Sequence, residues 1–290
     1  MNLCRFNRDR LGIVEGNKVY DVTAALDRIE PTRWPHPPGD ALIRNLDRVV
    51  EAAKSLRKSA PALSLADVTL HSPITTPNKI MAAPANYRAH IDIDAADPGL
   101  HHGVHDKQLA GMERRTEKLG LFLKANSALG GAAEGITLKW LDRRNDPEVE
   151  LVIVIGRTAK DVPAAQAFDY IAGYSIGLDT TVRGTEDRSW RKSADSYATL
   201  GPWLTTADAI ADPEKLTIWL EINGEQRQKS STGLMLVGVR RLIEFASSIY
   251  TLYPGDLLYT GTPEGVTPVK PGDRLRLGCE GIGEMSLKVN

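Results

Sequence analysis

The chain has 290 residues, enough for one large domain or two, and its 36 Lys and Arg nearly cancel 37 Asp and Glu, for a formal net charge of −1. That balance argues against a general nucleic-acid or membrane-surface binder. Cys4 and Cys279 are too few for a disulfide scaffold and are not spaced as a metal knuckle, so they read as reduced thiols, with one bridge between them as the alternative. "MNLCRFNRDRLG" lacks the apolar core of a signal peptide, and no apolar run is long enough to span a bilayer, which predicts a soluble cytoplasmic protein.

Residues 1–72 read as a small N-terminal α/β unit. "LCRF", "LGIVEG" and "KVYDVT" are short strands separated by polar turns, and "EPTRWPHPPGD" is a proline-rich loop. Ala41 to Ser59 repeats Leu42, Leu46, Val49, Val50, Ala53 and Leu56 at helical spacing, predicting one amphipathic helix. Residues 73–290 form a larger, β-rich unit. "KIMAAP" opens it as a strand, then "ANYRAHIDID" reads as a helical turn and "DPGLHHGVHDKQ" as an irregular loop. "LFLKA", "VELVIVIG", "YIAGYSIGLD", "LTIWLEI", "DLLYTG", "DRLRLG" and "EMSLKV" are strands, and Asn223-Gly224 marks a two-residue hairpin before "EQRQKS". A short helix near Ala164–Phe168 and the apolar stripe of "GVRRLIEFASSIYTL" complete the elements. No βαβ rhythm appears, so the class is α+β and not a doubly wound sheet.

Chemistry concentrates at "DPEVELVIVIG". Glu148 and Glu150 alternate at the entrance of an apolar strand, so both carboxylates project from one face. Val152 and Val154 follow on that face, which therefore runs into the core. A solvated strand edge is the bland alternative, but two acids at a core's mouth repel and need a compensating cation. A hard divalent ion, bound by oxygens at ~2.0–2.6 Å, would supply it. Asp179 ends the apolar run "YIAGYSIGLD" and offers a third carboxylate, unless it only begins the next turn with Thr180. Three carboxylates suit Mg²⁺ or Mn²⁺ with positions left open for substrate oxygens.

"EVELVIVIG", "AFDYIAGYSIGLDTTVRG", "KSADSYATLGPW", "NGEQRQ" and "YPGDLLYTGTPEGV" occur in the order and near the spacing of the fumarylacetoacetate hydrolase superfamily, which the chain resembles from about Lys79 to Asn290. "RF…RLGIVEGNKVYDVT" is similar to the small N-terminal domain found there. The resemblance implies a mixed, rolled β-sandwich, a homodimer, and an Mg²⁺ or Mn²⁺ ion (Ca²⁺ as a further option) on Glu148, Glu150 and Asp179. It implies substrates that are 2-oxo acids or 1,3-diketo acids. Lys192 is matched to a lysine that holds the substrate and its developing charge, and Thr262 to a threonine at the substrate carboxylate. Arg183 and Tyr87 fall at substrate-side positions, with a structural ion pair as the other reading for Arg183.

His90 in "ANYRAH" matches the histidine that activates water. The family commonly places a Glu three residues later, but this chain has Ile93, leaving Asp92 or Asp94 to orient the imidazole. A regular helix favours Asp94, one turn on. His101, His102 and His105 read as part of a lid and not as ligands. "TTVRGTEDRSWRK" is shorter than the usual family segment, so no role carries over to Glu186 or Trp190. The reaction implied is metal-dependent hydrolysis of the carbon–carbon bond of an acylpyruvate-like or other 1,3-dicarbonyl acid, in catabolism of aromatic ring-cleavage products. The alternatives are a 2-oxo acid decarboxylase or keto–enol isomerase on the same site, and a non-catalytic metal- or ligand-binding protein.

Overall fold

The computed structural model describes residues 1–96 and 115–290. The three N-terminal strands form as expected: β1 (Asn2–Phe6) pairs antiparallel with β2 (Arg10–Glu15), and β2 with β3 (Lys18–Asp21). The single helix expected from Ala41 is two, α1 (Ala41–Arg44) and α2 (Leu46–Leu56). The chain breaks at Asn45, whose side chain donates to the Ala41 carbonyl at 2.9 Å and accepts from Glu30 N–H at 3.4 Å. Such side-chain bonds compete with the helix's own ladder. The apolar stripe survives the break and packs into the core beneath the sheet.

Strands β4 (Ala62–Ser64), β5 (Leu70–His71) and β6 (Ile80–Ala82) lead to α3 (Arg88–Ala96). Beyond the undescribed stretch come α4 (Arg115–Leu119), β7 (Phe122–Lys124), β8 (Leu129–Gly130) and β9 (Asn145–Asp146). The long strands β10 (Val149–Ile155) and β11 (Ile171–Asp179) follow, then β12 (Thr181–Val182), α5 (Arg188–Arg191) and β13 (Ala198–Thr206). β14 (Thr217–Ile222), β15 (Glu225–Ser231), α6 (Val239–Ile249), β16 (Leu257–Tyr259), β17 (Arg274–Cys279) and β18 (Gly283–Lys288) complete the chain. The short helix near Ala164 is a 3₁₀ helix over Ala164–Tyr170, with Pro163 as its N-cap.

The main sheet runs β4-β3-β2-β1-β13-β11-β10-β16-β6-β7, with β5 on β1 and β8 on β13. Among the described residues only β8–β13 and β6–β16 pair in parallel within it. The N-terminal strands join the larger unit through β1, where Leu3 faces Leu204 of β13. A second sheet, β15-β14-β17-β18, packs over the opposite face together with α6. Cys4 and Cys279 lie in different sheets, both buried and unbridged.

β13 has no counterpart in the sequence reading, and it carries Gly201-Pro202 in its interior. Ladder pairs Ile176↔Gly201 and Tyr174↔Thr205 leave Pro202 inside a register shift, where no ladder N–H is required of it. Ser175 Oγ bonds the carbonyls of Gly201 and Trp203 at 3.0 and 2.9 Å and closes the bulge.

Every residue of β10 is buried. Val149, Leu151, Ile153 and Ile155 face the core under α6, while Val152 and Val154 face the core that includes Val49 and Ala53 of α2. A strand covered on both faces needs an unbroken apolar run. Glu148 and Glu150 share the phase of Val152 and Val154, as strand alternation requires.

Asp40 ties α1 to the rest. One carboxylate oxygen caps the helix on Leu42 N–H (2.9 Å) and Ile43 N–H (3.3 Å), while the other accepts from Thr75 N–H (2.9 Å) and Thr76 N–H (3.1 Å). Asp40→Ala removes a cap and leaves two main-chain donors without that acceptor, so we expect a loss of roughly 3 kcal/mol. Urea denaturation measures it. A loss no larger than that of an exposed cap would show that the Thr75 and Thr76 bonds contribute nothing.

Candidate metal centre

β10 and β11 bring the three acids together through register alone. Val149 pairs with Leu178 and Glu150 with Gly177, and Asp179 N–H donates to the Glu148 carbonyl at 2.9 Å. Asp179 therefore lies across from Glu148, one step along from Glu150. Carboxylate oxygens of Glu148, Glu150 and Asp179 lie within 4.8 Å of one another, and all three residues are buried. Opposite Glu150 the ladder has Gly177, where a Cβ would meet Tyr259 Cε1 at 2.3 Å and Val152 Cγ2 at 2.6 Å. The small residue lets the Tyr259 ring fill the floor beneath the acids.

Cations surround the cluster unevenly. Lys192 Nζ bonds Glu148 Oε2 at 2.8 Å and Asp179 Oδ2 at 2.6 Å. Arg183 donates to Glu148 Oε1 at 2.8 Å and to Asp146 Oδ2 at 2.6 Å, and Arg144 also holds Asp146. Lys124, fully buried, reaches Asp179 Oδ1 at 2.5 Å and the Lys192 carbonyl. Glu150 has a neutral donor instead, the Gly261 N–H at 2.6 Å.

The protonation energetics follow this division. Burial raises the pKa of Glu148, but Lys192 and Arg183, with His90 behind them, outweigh it and hold the group at about 2. Burial pushes Glu150 well above the usual carboxylate range, and Asp179 and Glu148 add to the rise while Lys192 opposes it. Burial also lowers Lys124 against the pull of Asp179. The donor set is all oxygen, anionic and closely spaced, which fits one hard divalent ion at ~2.0–2.6 Å from each ligand.

Residues 79–290 match the family described as fumarylacetoacetate (FAA) hydrolase C-terminal. The chain belongs to the fumarylacetoacetate hydrolase family. It is 50% identical over 289 residues to a maleylpyruvate hydrolase of Aquipseudomonas alcaligenes, covering 100% of this chain and 99% of that one. A maleylpyruvate hydrolase of Sphingobium sp. SYK-6, solved with manganese(II) and pyruvate, is 36% identical with a TM-score of 0.81, covering 100% of this chain and 98% of that one. A 5-carboxymethyl-2-hydroxymuconate delta-isomerase from Mycobacterium smegmatis is 32% identical with a TM-score of 0.71, covering 100% of this chain and 99% of that one. The chain is thus a metal-dependent hydrolase of this family, with a rolled mixed sheet and an acidic triad that could hold a divalent ion.

His90 and Tyr87 lie close to the triad. His90, in the first turn of α3, is buried and close enough to Glu148 to help depress its pKa. Asn86 sets that helix's entrance: its side chain donates to the Val237 and Thr260 carbonyls and accepts from Val237 N–H. Tyr87 is buried, and burial with nearby Glu150 raises its pKa, so its phenol stays protonated. Asp92 is exposed. The side chains of Ile93 and Asp94, and all of His101, His102 and His105, lie outside the described residues.

Two expected substrate contacts are occupied within the protein. Arg183 spends its guanidinium on Glu148 and Asp146, the ion-pair reading. Thr262 donates its one hydroxyl proton to the Val149 carbonyl at 3.0 Å and accepts from Gln228 at 2.9 Å. A substrate carboxylate brings no proton for the remaining lone pair. Thr262 and Gln228, which also accepts from Val149 N–H at 3.1 Å, therefore brace the peptide between the two glutamates. Glu186 pairs with Arg143 at the surface, and half-exposed Trp190 stacks on Trp140.

Lys124, Asp146 and Gln228 went unpredicted. Lys124 had a signal: in "LFLKA" it shares the inward phase of Phe122, an odd place for a charge unless it meets one. Gln228 lies in a polar hairpin strand with nothing in its pattern to single it out.

Glu150 and Glu148 couple stability to pH in opposite directions. A raised carboxylate stabilises the fold in its protonated form, and that contribution is lost as pH climbs from the ordinary Glu value through the raised one. The depressed Glu148 contributes above the ordinary value and loses that contribution as pH falls toward about 2. In metal-free protein, Glu150→Gln should therefore be more stable than wild type by a margin that widens as pH rises above the ordinary Glu value of 4.5. Urea midpoints in chelator at each pH check this; a margin independent of pH would contradict it.

Proposed function

We propose that the chain cleaves an acylpyruvate of the maleylpyruvate type to pyruvate and the acyl acid, in aromatic-compound catabolism. The observation that carries the proposal is the convergence of the Glu148–Glu150–Asp179 triad, Lys192 and His90, within a chain half identical along its length to a maleylpyruvate hydrolase. The manganese and pyruvate bound by the Sphingobium relative support the same chemistry.

A divalent ion held by the triad supplies Lewis acidity toward the adjacent oxygens of a 2-oxo acid. The chain's own groups do the rest. His90 accepts a proton from water as its oxygen attacks the acyl carbonyl. The bond between that carbon and the pyruvyl methylene breaks, and its electron pair passes into the pyruvate enolate. The Lys192 ammonium, fixed by Glu148, Asp179 and Thr181, stabilises that charge through space. The proton held by His90 returns to the methylene carbon, giving pyruvate. Asp94 is the proposed orienting partner of His90, and Tyr87 a hydroxyl donor at the substrate side. The setting we propose is a cytoplasmic homodimer.

Maleylpyruvate supplied with Mn²⁺ should yield one pyruvate per enol lost, and chelation should abolish turnover until Mn²⁺ or Mg²⁺ returns. His90→Ala should lower kcat by roughly 10²–10⁴-fold with manganese binding unchanged. Carbon dioxide alone as product would favour a decarboxylase. A tautomer alone would favour the isomerase chemistry named for the Mycobacterium smegmatis relative. Turnover that survives chelation would remove the metal-dependent reading.

A further inference from the structure

Most basic groups around the triad are committed. Lys192 and Lys124 hold carboxylates, as does Arg183, and Arg191 Nε donates to the Glu186 carbonyl at 2.9 Å. Arg188 differs. It opens α5, one turn before Lys192, and its guanidinium carbon lies 5.5 Å from the centre of the Phe122 ring. The Lys192 ammonium lies 5.4 Å from the same ring. Arg188 and the cation that bonds Glu148 and Asp179 thus both lie against one aromatic side chain. Among the described residues its guanidinium makes no hydrogen bond or ion pair, although neighbouring Asp187 is at hand. Asp187 instead caps α5 by accepting from Ser189 N–H at 2.8 Å.

Arg188 is half-buried. Burial lowers its pKa while Asp179, Asp187 and Glu148 work against that loss, so it feels the field of the triad. Partly desolvated guanidinium without an acceptor is costly, and a carboxylate approaching in the plane of its fork relieves that cost with two parallel charge-assisted bonds. Neighbouring Arg191 and Arg183 are tied down, so Arg188 is the guanidinium of the three left to meet an arriving carboxylate. The proposed reaction takes a substrate with a carboxylate at each end: one beside the 2-oxo group, the other at the far end of the acyl chain.

We propose that Arg188 is the specificity-determining residue that receives the far carboxylate of a diacid acylpyruvate, with Phe122 as the apolar surface against which it and Lys192 are both set. The assignment rests on the proposed hydrolase activity and sharpens it to diacids.

The test compares maleylpyruvate with acetylpyruvate, which has the same reacting centre and no far carboxylate. Arg188→Met should lower kcat/KM for maleylpyruvate roughly 10- to 100-fold, mostly through KM, and change acetylpyruvate turnover by no more than about twofold. Arg188→Lys, which keeps charge but loses the fork, should recover part of the loss. Equal losses on both substrates, or no loss on either, would overturn the assignment while leaving the hydrolase intact. Wild-type protein that cleaves neither substrate would remove the proposed activity, and this assignment with it.

Discussion

Three buried carboxylates held within 4.8 Å of one another are the constraint on which the site depends. Left alone they would repel, and protonation would relieve them at the expense of their use as ligands. The antiparallel register of β10 and β11 removes their freedom to separate: Asp179 stands across from Glu148 because Val149 stands across from Leu178. That register is itself enforced by burial on both faces of β10, since a one-residue slip would turn Glu148 and Glu150 into the core under α6. The apolar run is what makes the acids stay where they are.

Around this centre, charge is arranged so that the cluster is incomplete by design of position. Glu148 and Asp179 each meet ammonium or guanidinium groups, whereas among the described residues Glu150 meets only a main-chain N–H. A divalent ion would neutralise the carboxylate that the protein leaves least satisfied and would lower its raised pKa. The braces have a different task. Gln228 comes from the second sheet and Thr262 from the loop after β16, and both grip the peptide of Val149. Asn86 fixes the start of α3 to the same loop region, so His90 and the triad share one rigid frame. Such preorganisation is what electrostatic catalysis requires.

Much of this was legible in the residues. Strand alternation alone predicted that Glu148 and Glu150 share a face with Val152 and Val154, and Asp179 was conspicuous as an acid ending an apolar strand. Features that depend on long-range pairing were not legible. β13 hid behind Gly201-Pro202, because only the bulge opposite Ser175 shows why a proline is tolerated there. The Asn45 break depends on an acceptor for Glu30 N–H, a contact no helical periodicity reports. Thr262 and Arg183 were placed near the site by resemblance, yet which of their bonding groups are already occupied is a matter of tertiary geometry. Arg188 stands out only once its neighbours' partners are known.

The most direct measurement is the manganese anomalous-difference map of crystals grown with Mn²⁺. One ordered peak at roughly 2.0–2.6 Å from oxygens of Glu148, Glu150 and Asp179 is the predicted result. An ordered peak elsewhere, such as among His101, His102 and His105, or no peak at the triad under saturating Mn²⁺, would contradict the account.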